Sequence, residues 1–336
     1  MGTTPPPTHL VAAVDVGASK TLVAVVSVTA EGEVAQPVAR WRVRRLATDR
    51  DPDRHLAAIA TVIGDLAAGV QVAAIGVAAP GPLDPARGMI IHSPNLGWND
   101  HLFGPALGAL VGAPVGLEDD ANAGALGEAL LGAGAGRDPV VYLTLSTGVG
   151  AGVVVGGRIV RGAHQVAGEV GHLAVDPAGP RCGCGGRGHV EAFVGGAGLA
   201  RRAAATWPSG TLADGSAAPP DAAAILRLAR AGDPNAMRLA NEATDALARA
   251  IAALSAVLDP GAIVVGGSLG LGQRALVRRA ATRARRLVIA EAGAAPLVVP
   301  AAHGERSPLV GAAILAALLA ATGVAAAAAP RRGRPE

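Results

Sequence analysis

The sequence predicts an α/β fold built as two duplicated lobes with a cleft between them. Three observations carry that expectation. A strand, a glycine turn and a second strand open the chain over residues 10–28, and the same order starts again at Pro139. Each opening is followed by helices alternating with short apolar strands, the pattern of mostly parallel sheets covered by helices. The composition, 51% hydrophobic and only 16% charged over 336 residues, supplies enough Ala, Val, Leu and Ile for two cores.

In chain order, L-V-A-A-V-D-V at 10–16 reads as a buried strand, G-A-S-K as a turn, and Thr21–Val28 as an alternating second strand. A Walker loop or a dinucleotide fingerprint would pass from strand through glycines into a helix. Here the glycine turn lies inside a hairpin, which argues against both. A third strand is expected near Val34–Val43. A helix then follows at about Asp53–Ala68, a strand at Val72–Ala78, a helix at about Leu102–Leu110, a strand at Pro114–Leu117 and a helix at Ala121–Leu131. In the second half, V-V-Y-L-T-L is a strand, S-T-G-V-G-A-G a turn, and V-V-V-G-G-R-I-V-R two more strands. Helices are expected around Leu199–Thr206, Ala222–Ala231 and Pro234–Leu258, with Trp207–Asp221 as a surface loop. A strand at Ala262–Val265, a helix at Gln273–Leu287, a strand at Leu297–Val299 and a final helix complete the order.

The lobes would comprise residues 9–120 with the C-terminal helix 309–322, and residues 121–308 with a Cys/His loop at 172–189. Residues 323–336 are expected to form a disordered tail. Each hairpin turn would face the cleft and offer backbone N–H groups to phosphate oxygens. A third glycine-rich turn, G-G-S-L-G-L-G at 266–272, could let a base and ribose approach the backbone closely.

Charge narrows the functional classes. The net charge of +3 comes largely from the tail P-R-R-G-R-P-E, so no basic stripe points to nucleic acid. Lys20 is the only lysine among 29 basic residues. Two cysteines one residue apart make no disulfide framework, which fits a reducing, cytoplasmic setting. The N-terminus lacks the basic-then-apolar order of a signal peptide. Leu309–Ala329 carries no charge and is long enough to span a bilayer. It is mostly Ala and Gly, however, so a helix packed on its own domain is the expectation.

The densest chemistry lies in Glu169–Glu191. It holds both cysteines, Cys182 and Cys184, with His172, His189 and two flanking acids. Sulfur and imidazole crowded into one loop suit Zn²⁺, and the glycines at 183, 185, 186 and 188 let the backbone fold tightly enough for the ligands to converge. Four protein ligands leave no open position for an activated water, so the metal's role would be structural. An empty turn is the alternative reading.

From about Val11 to Ala317 the chain resembles the ROK sugar kinases, which include bacterial glucokinases and N-acetylmannosamine kinases, and the related ROK repressors. D-V-G-A-S-K at 15–20 is similar to the first phosphate loop of the hexokinase/actin-type fold, and L-S-T-G-V-G-A-G at 145–152 to the second. I-V-V-G-G-S at 263–268 resembles the adenosine loop, and S-P-L-V-G-A-A at 307–313 the closing helix. The resemblance implies two ribonuclease H-like lobes. It assigns ATP and phosphate contacts to Asp15, Gly17, Ser19, Lys20, Thr147, Gly148, Gly150, Gly266 and Gly267, with Asp15 holding Mg²⁺ through water and Lys20 placing a point charge near the phosphates.

The family's metal loop carries a His, then C-x-C-G-x-x-G-C-x-E. His172, Cys182 and Cys184 fall in register, Glu191 matches the acid, and His189 stands in place of the third cysteine, which implies a His₂Cys₂ zinc site. E-D-D-A-N at 118–122 is similar to the family's Glu-Asn-Asp-Ala-Asn. Asp120 is thereby implied as the base that takes the proton of a sugar hydroxyl attacking the γ-phosphate; a helix N-cap is its other reading. Asp119 replaces the Asn, so it could accept but not donate a hydrogen bond, and adjacent acids can raise one another's pKa. E-V-G-H at 169–172 resembles the sugar clamp: Glu169 and Glu191 would accept from ring hydroxyls, and His172 would bind zinc with one nitrogen and face the sugar with the other. Gly81 and Asn95, in loops resembling those that border the sugar, are candidate substrate contacts or simple turn residues.

The implied activity is ATP- and Mg²⁺-dependent phosphorylation of the 6-hydroxyl of glucose or a related hexose. The alternatives are N-acetylmannosamine, N-acetylglucosamine or fructose as substrate, polyphosphate as donor, or a non-catalytic sugar-sensing regulator. The last would carry a helix-turn-helix before the sugar domain, for which a first strand near residue 10 leaves no room. The expected partners are sugar, ATP and further copies of the chain in a homodimer or homotetramer, with no nucleic acid and no membrane.

Overall fold

The computed structural model describes residues 8–29, 31, 33–34, 38–212, 215–218, 221–289 and 297–322. The chain separates into two compact units, one reaching Gly127 and resuming at Arg306, the other Glu128–Glu305. The boundary falls inside a helix for a local reason. Gly127 is packed against Ser307 and Gly311, whereas the buried Glu128 carboxylate accepts from the backbone N–H groups of Ala302 and His303.

The first unit contains β1 (Thr8–Val16), β2 (Lys20–Thr29), β3 (Val43–Ala47), α1 (Pro52–Ala67), β4 (Val72–Ala79), β5 (Leu83–Asp84), β6 (Met89–Ser93), β7 (Trp98–His101), α2 (Phe103–Val111), β8 (Val115–Asp119) and α3 (Asp120–Leu131). Its main sheet has the order β3-β2-β1-β4-β8, with β2 and β3 antiparallel and β1, β4 and β8 parallel. Both faces of the parallel strands are covered, so they read as unbroken apolar runs. Ala12, Val14 and Val16 of β1 join Leu56, Ile59 and Ile63 of α1 and Phe103 and Leu107 of α2 in one core. Helix α1 starts where Asp51 accepts from the N–H groups of Asp53 and Arg54, with Pro52 in its first turn.

The second unit repeats the plan with β9 (Val140–Leu145), β10 (Val149–Val155), β11 (Arg158–Ile159), α4 (Val190–Val194), α5 (Gly196–Thr206), α6 (Ala222–Arg230), α7 (Pro234–Leu258), β12 (Ala262–Gly266), α8 (Gly267–Gly272), α9 (Arg274–Ala284) and β13 (Val298–Pro300). Its sheet order is β11-β10-β9-β12-β13, again an antiparallel hairpin side joined to a parallel side. The two sheets are therefore the same construction made twice.

The last helix, α10 (Ser307–Thr322), returns to the first unit and packs on β1 and β4. Among the described residues, one helical stretch, Gly304–Thr322, is long and apolar enough to cross a membrane. It is instead a core helix, with Leu309, Val310, Ile314 and Leu319 all buried. Glycines allow the close approach: a Cβ on Gly76 would stand 1.9 Å from the Ala312 carbonyl oxygen, and one on Gly311 1.7 Å from that of Ala123.

Several expectations are corrected. The third strand lies at Val43–Ala47 rather than Val34–Val43, because it pairs with the turn end of β2, Lys20–Ala24; Val34 makes only an isolated bridge to Val28. The turn after β9 ends at Gly148, since Val149, Ala151 and Val153 alternate inward as strand β10. G-G-S-L-G-L-G is a short helix, α8, entered through Gly267 at φ 77° and seated by the buried Leu269 and Gly270. The segment 83–101 forms a three-stranded sheet, β5-β6-β7, so Asn95 stands in a tight turn between two strands rather than in a long loop. The expected disordered tail lies outside the described residues.

Candidate active site and metal loop

In the first unit the candidate residues gather at the carboxyl ends of the parallel strands, where open α/β sheets bind ligands. Asp15 pairs with Ala78, and Ala78 with Glu118. With strands about 4.8 Å apart, Asp15 thus lies two strands, about 10 Å, from Glu118, and Asp119 and Asp120 follow directly. Gly17, Ser19 and Lys20 form the adjoining β1–β2 turn, closed by the Gly17 N–H donating to the Lys20 carbonyl at 2.9 Å. Gly81 lies in the bend between β4 and β5, and Asn95 in the exposed turn between β6 and β7.

The acidic triplet is organised differently from the expectation. Asp119, not Asp120, caps α3: its Oδ1 accepts from the N–H groups of Ala121 at 3.0 Å and Asn122 at 3.2 Å. Glu118 is buried and takes the Asn122 amide and the Asp119 N–H on one oxygen. Burial, with the charges of Asp120 and Glu118 adding, raises the Asp119 pKa to about 8. Asp119 is therefore harder to ionise than an ordinary aspartate. When protonated, its second oxygen could donate as well as accept. With the cap role taken by its neighbour, Asp120 begins the helix beside a carboxyl whose ionisation burial opposes.

In the second unit, the turn Ser146–Gly148 is closed by the Ser146 N–H donating to the Gly148 carbonyl. Its carbonyls are held in turn: those of Ser146 and Thr147 accept from the N–H groups of Gly196 and Ala197 at the start of α5. Thr147 is exposed at the tip, whereas Gly150 lies within β10 opposite Thr144. Gly266 also pairs with Thr144, across β12, which brings the third glycine element beside the second. The Oγ atoms of Ser146 and Ser268 are 3.1 Å apart, a link that residues 122 positions apart in the chain give no sign of.

The four Cys and His side chains of the 172–189 loop converge. The ligand atoms of His172, Cys182, Cys184 and His189 all lie within 4.8 Å of one another. Cys182 Sγ is 3.9 Å from His172 Nδ1, and Cys184 Sγ is 3.3 Å from His189 Nδ1. Tetrahedral Zn²⁺ at about 2.0–2.3 Å from each ligand sets its ligand atoms roughly 3.3–3.8 Å apart, close to both Cys–His distances, so the donor set suits the ion. Burial raises the pKa of the Cys182 thiol, with the nearby Glu191 carboxylate adding to it, an environment a cation would reverse. His172 Nε2 lies 3.8 Å from a Glu169 carboxylate oxygen, an outer partner of the kind that orients ligating imidazoles.

Backbone geometry fixes the loop. The Val190 N–H donates to Leu173, the Cys182 N–H to Gly186, and Arg249 of α7 donates to the Val175 carbonyl at 2.7 Å. Gly188 has φ 65°, and a Cβ there would stand 1.5 Å from the Asp176 carbonyl oxygen, so no other residue fits. Glu191 ties the loop to the end of the Ser146–Gly148 turn: Oε2 accepts from the Val149 N–H at 3.1 Å, and Oε1 lies 3.7 Å from Cys182 Sγ.

Comparison with known proteins agrees with this architecture. The profile of the ROK family matches residues 11–318. A glucokinase of Thermotoga maritima is 33% identical over 262 residues, spanning 76% of this chain and 81% of that protein. The ROK hexokinase of Thermus thermophilus superimposes with a TM-score of 0.79 at 35% identity, covering 92% of this chain and 98% of that one. A ROK family glucokinase of Streptomyces griseus, in complex with glucose and AMPPNP, does so with a TM-score of 0.69 at 32% identity, covering 91% and 99%.

Proposed function

The chain belongs to the ROK family, and from that premise we propose how its residues divide the work. It is an ATP-dependent sugar kinase that phosphorylates the 6-hydroxyl of glucose or a related hexose. Its fold is the actin-like ATPase fold of the ROK hexokinases. The observation that carries the residue assignment is the placement of Asp15, Asp119 and Asp120 at one edge of the parallel strands, with the β1–β2 glycine turn beside them.

In this reading Asp120 accepts the proton of the 6-hydroxyl as its oxygen attacks the γ-phosphorus and ADP leaves. Asp119, held by the start of α3, donates to a second sugar hydroxyl when protonated. Lys20 and the N–H groups at the turns containing Gly17, Ser19, Thr147 and Gly148 stabilise charge on the phosphates, with Gly266 and Gly267 accommodating the nucleoside. Gly150 supports its turn from within β10. Asp15 would hold hydrated Mg²⁺, which supplies charge neutralisation on the transferred phosphoryl group. Glu169, His172 and Glu191 accept from or face sugar hydroxyls, with Gly81 and Asn95 bordering the ring.

His172, Cys182, Cys184 and His189 would hold Zn²⁺, which supplies rigidity rather than reactivity. The ion would fix the loop so that Glu191 keeps its hold on the Val149 N–H. A cytoplasmic setting suits two free thiols, and assembly as a homodimer or homotetramer is proposed with it.

A coupled assay across glucose, mannose, fructose, N-acetylmannosamine and N-acetylglucosamine, with ATP and polyphosphate as donors, tests the function. Turnover of glucose with ATP is expected to lead. Sugar-dependent DNA binding with no turnover of any sugar would replace the kinase with a regulator.

A further inference from the structure

A chain of hydrogen bonds that no catalytic motif includes runs from helix α1 to the first glycine turn. His55 is 1% exposed and Thr21 fully buried. The Asp49 backbone N–H donates to His55 Nδ1 at 3.3 Å, so that nitrogen is bare and the proton of the neutral ring sits on Nε2. His55 Nε2 then donates to Thr21 Oγ1 at 2.8 Å. At the far end the Thr48 hydroxyl donates to the Gly17 carbonyl at 2.7 Å. Its proton is committed there, so the 3.0 Å contact between the two threonine hydroxyls has Thr21 as the donor. Every link has one direction: Asp49 N–H to His55, His55 to Thr21, Thr21 to Thr48, Thr48 to Gly17.

The relay is built to hold one state. Burial lowers the His55 pKa, opposed by the Asp49 carboxylate, which keeps the ring in the neutral form the pattern needs. The ring lies against Trp98, centroids 5.6 Å apart, and Trp98 Nε1 donates to the Arg50 carbonyl, so the strand-to-helix loop is fastened from a second side. The Thr48 N–H also reaches the Ser19 carbonyl at 3.4 Å. Thr48 therefore holds two carbonyls of a turn whose N–H groups are offered to phosphate. A peptide plane pinned at its carbonyl is pinned at the N–H of the following residue. Holding the Gly17 and Ser19 carbonyls thus aims the N–H groups of Ala18 and Lys20.

We propose that Thr48, Thr21 and His55 are positioning residues for phosphoryl transfer, orienting the Gly17–Lys20 turn toward the phosphates of ATP without touching them. The inference rests on the reading of that turn as a phosphate site. It predicts an effect on ATP rather than on sugar, and a serial effect along the relay.

The test compares Thr48→Val, Thr48→Ser, His55→Leu and Lys20→Ala with the parent, measuring the KM for ATP and glucose binding without nucleotide. Thr48→Val and His55→Leu are each expected to raise the ATP KM about three- to tenfold, the range of one lost hydrogen bond. Glucose binding should stay unchanged, and Thr48→Ser, which keeps the hydroxyl, should behave as the parent. The double variant should be no worse than either single one, because both cut the same chain. The proposal is overturned if Thr48→Val and His55→Leu leave the ATP KM unmoved while Lys20→Ala raises it; the turn is then a phosphate site that needs no relay. It is equally overturned, together with the phosphate-turn reading, if Lys20→Ala also has no effect. Equal weakening of ATP and glucose would mark a general loss of folding and overturn it too.

Discussion

Asp119 carries the sharpest consequence at the scale of single residues. Its folded pKa, raised to about 8, exceeds its ordinary value of 3.8, so between those limits the folded protein binds a proton the unfolded chain lacks. Stability must therefore fall as pH rises from about 4 to 8 and level off above. Asp119→Asn keeps the cap and removes the titration, so its stability advantage over the parent is expected to grow across that window; urea midpoints at a series of pH values check it. The same substitution should flatten the alkaline limb of the turnover profile, because ionised Asp119 would place a second charge beside the base. The zinc ligands give a second prediction. His189→Cys should retain one metal per chain and His189→Ala should lose it, as read by metal analysis of the purified protein. The ligand set was legible in sequence because four soft donors and several glycines fall within one short loop. The state of Asp119 was not, because it depends on burial and on three carboxylates meeting at one helix start. The roles of Thr21, Thr48 and His55 were equally hidden, since their spacing in the chain gives no sign that they meet.

Elements were legible where their apolar period was long. Helix α7 was expected at Pro234–Leu258 and is found there, between an Asp233 cap and a left-handed Asp259. Strand β3 was misplaced because its neighbours alternate equally well, and only pairing with Lys20–Ala24 decides its register. Helix α8 reads as a turn in sequence because its glycine count outweighs its two inward positions. Helix α10 shows what composition alone leaves open, since an uncharged Ala/Leu run serves a membrane or a core. The distinguishing feature is glycine at the contact. Gly311→Ala puts a methyl into the Ala123 carbonyl and is expected to destabilise the protein by about 1–3 kcal/mol, the usual range for overpacking. A shift of the denaturation midpoint, with sugar affinity retained in the folded fraction, checks it.

For the whole molecule, the repeated strand order explains why so much of the fold could be read from one chain. Two glycine turns at equivalent places in two sheets of the same strand order leave few other arrangements, and membership in the ROK family agrees. Each unit carries its own candidate groups: the first has the acidic strand ends and the Gly17–Lys20 turn, the second the Cys/His loop, Glu169, Glu191 and the Ser146–Gly148 turn. The central claim is that this repeated frame serves phosphoryl transfer with Asp120 as the base. Single-turnover phosphorylation of bound glucose by the Asp120→Asn variant tests it most directly. Glucose binding within about twofold of the parent, with the rate of transfer reduced by about 10²–10⁴, is the expected result. Transfer at the parent's rate would contradict the account.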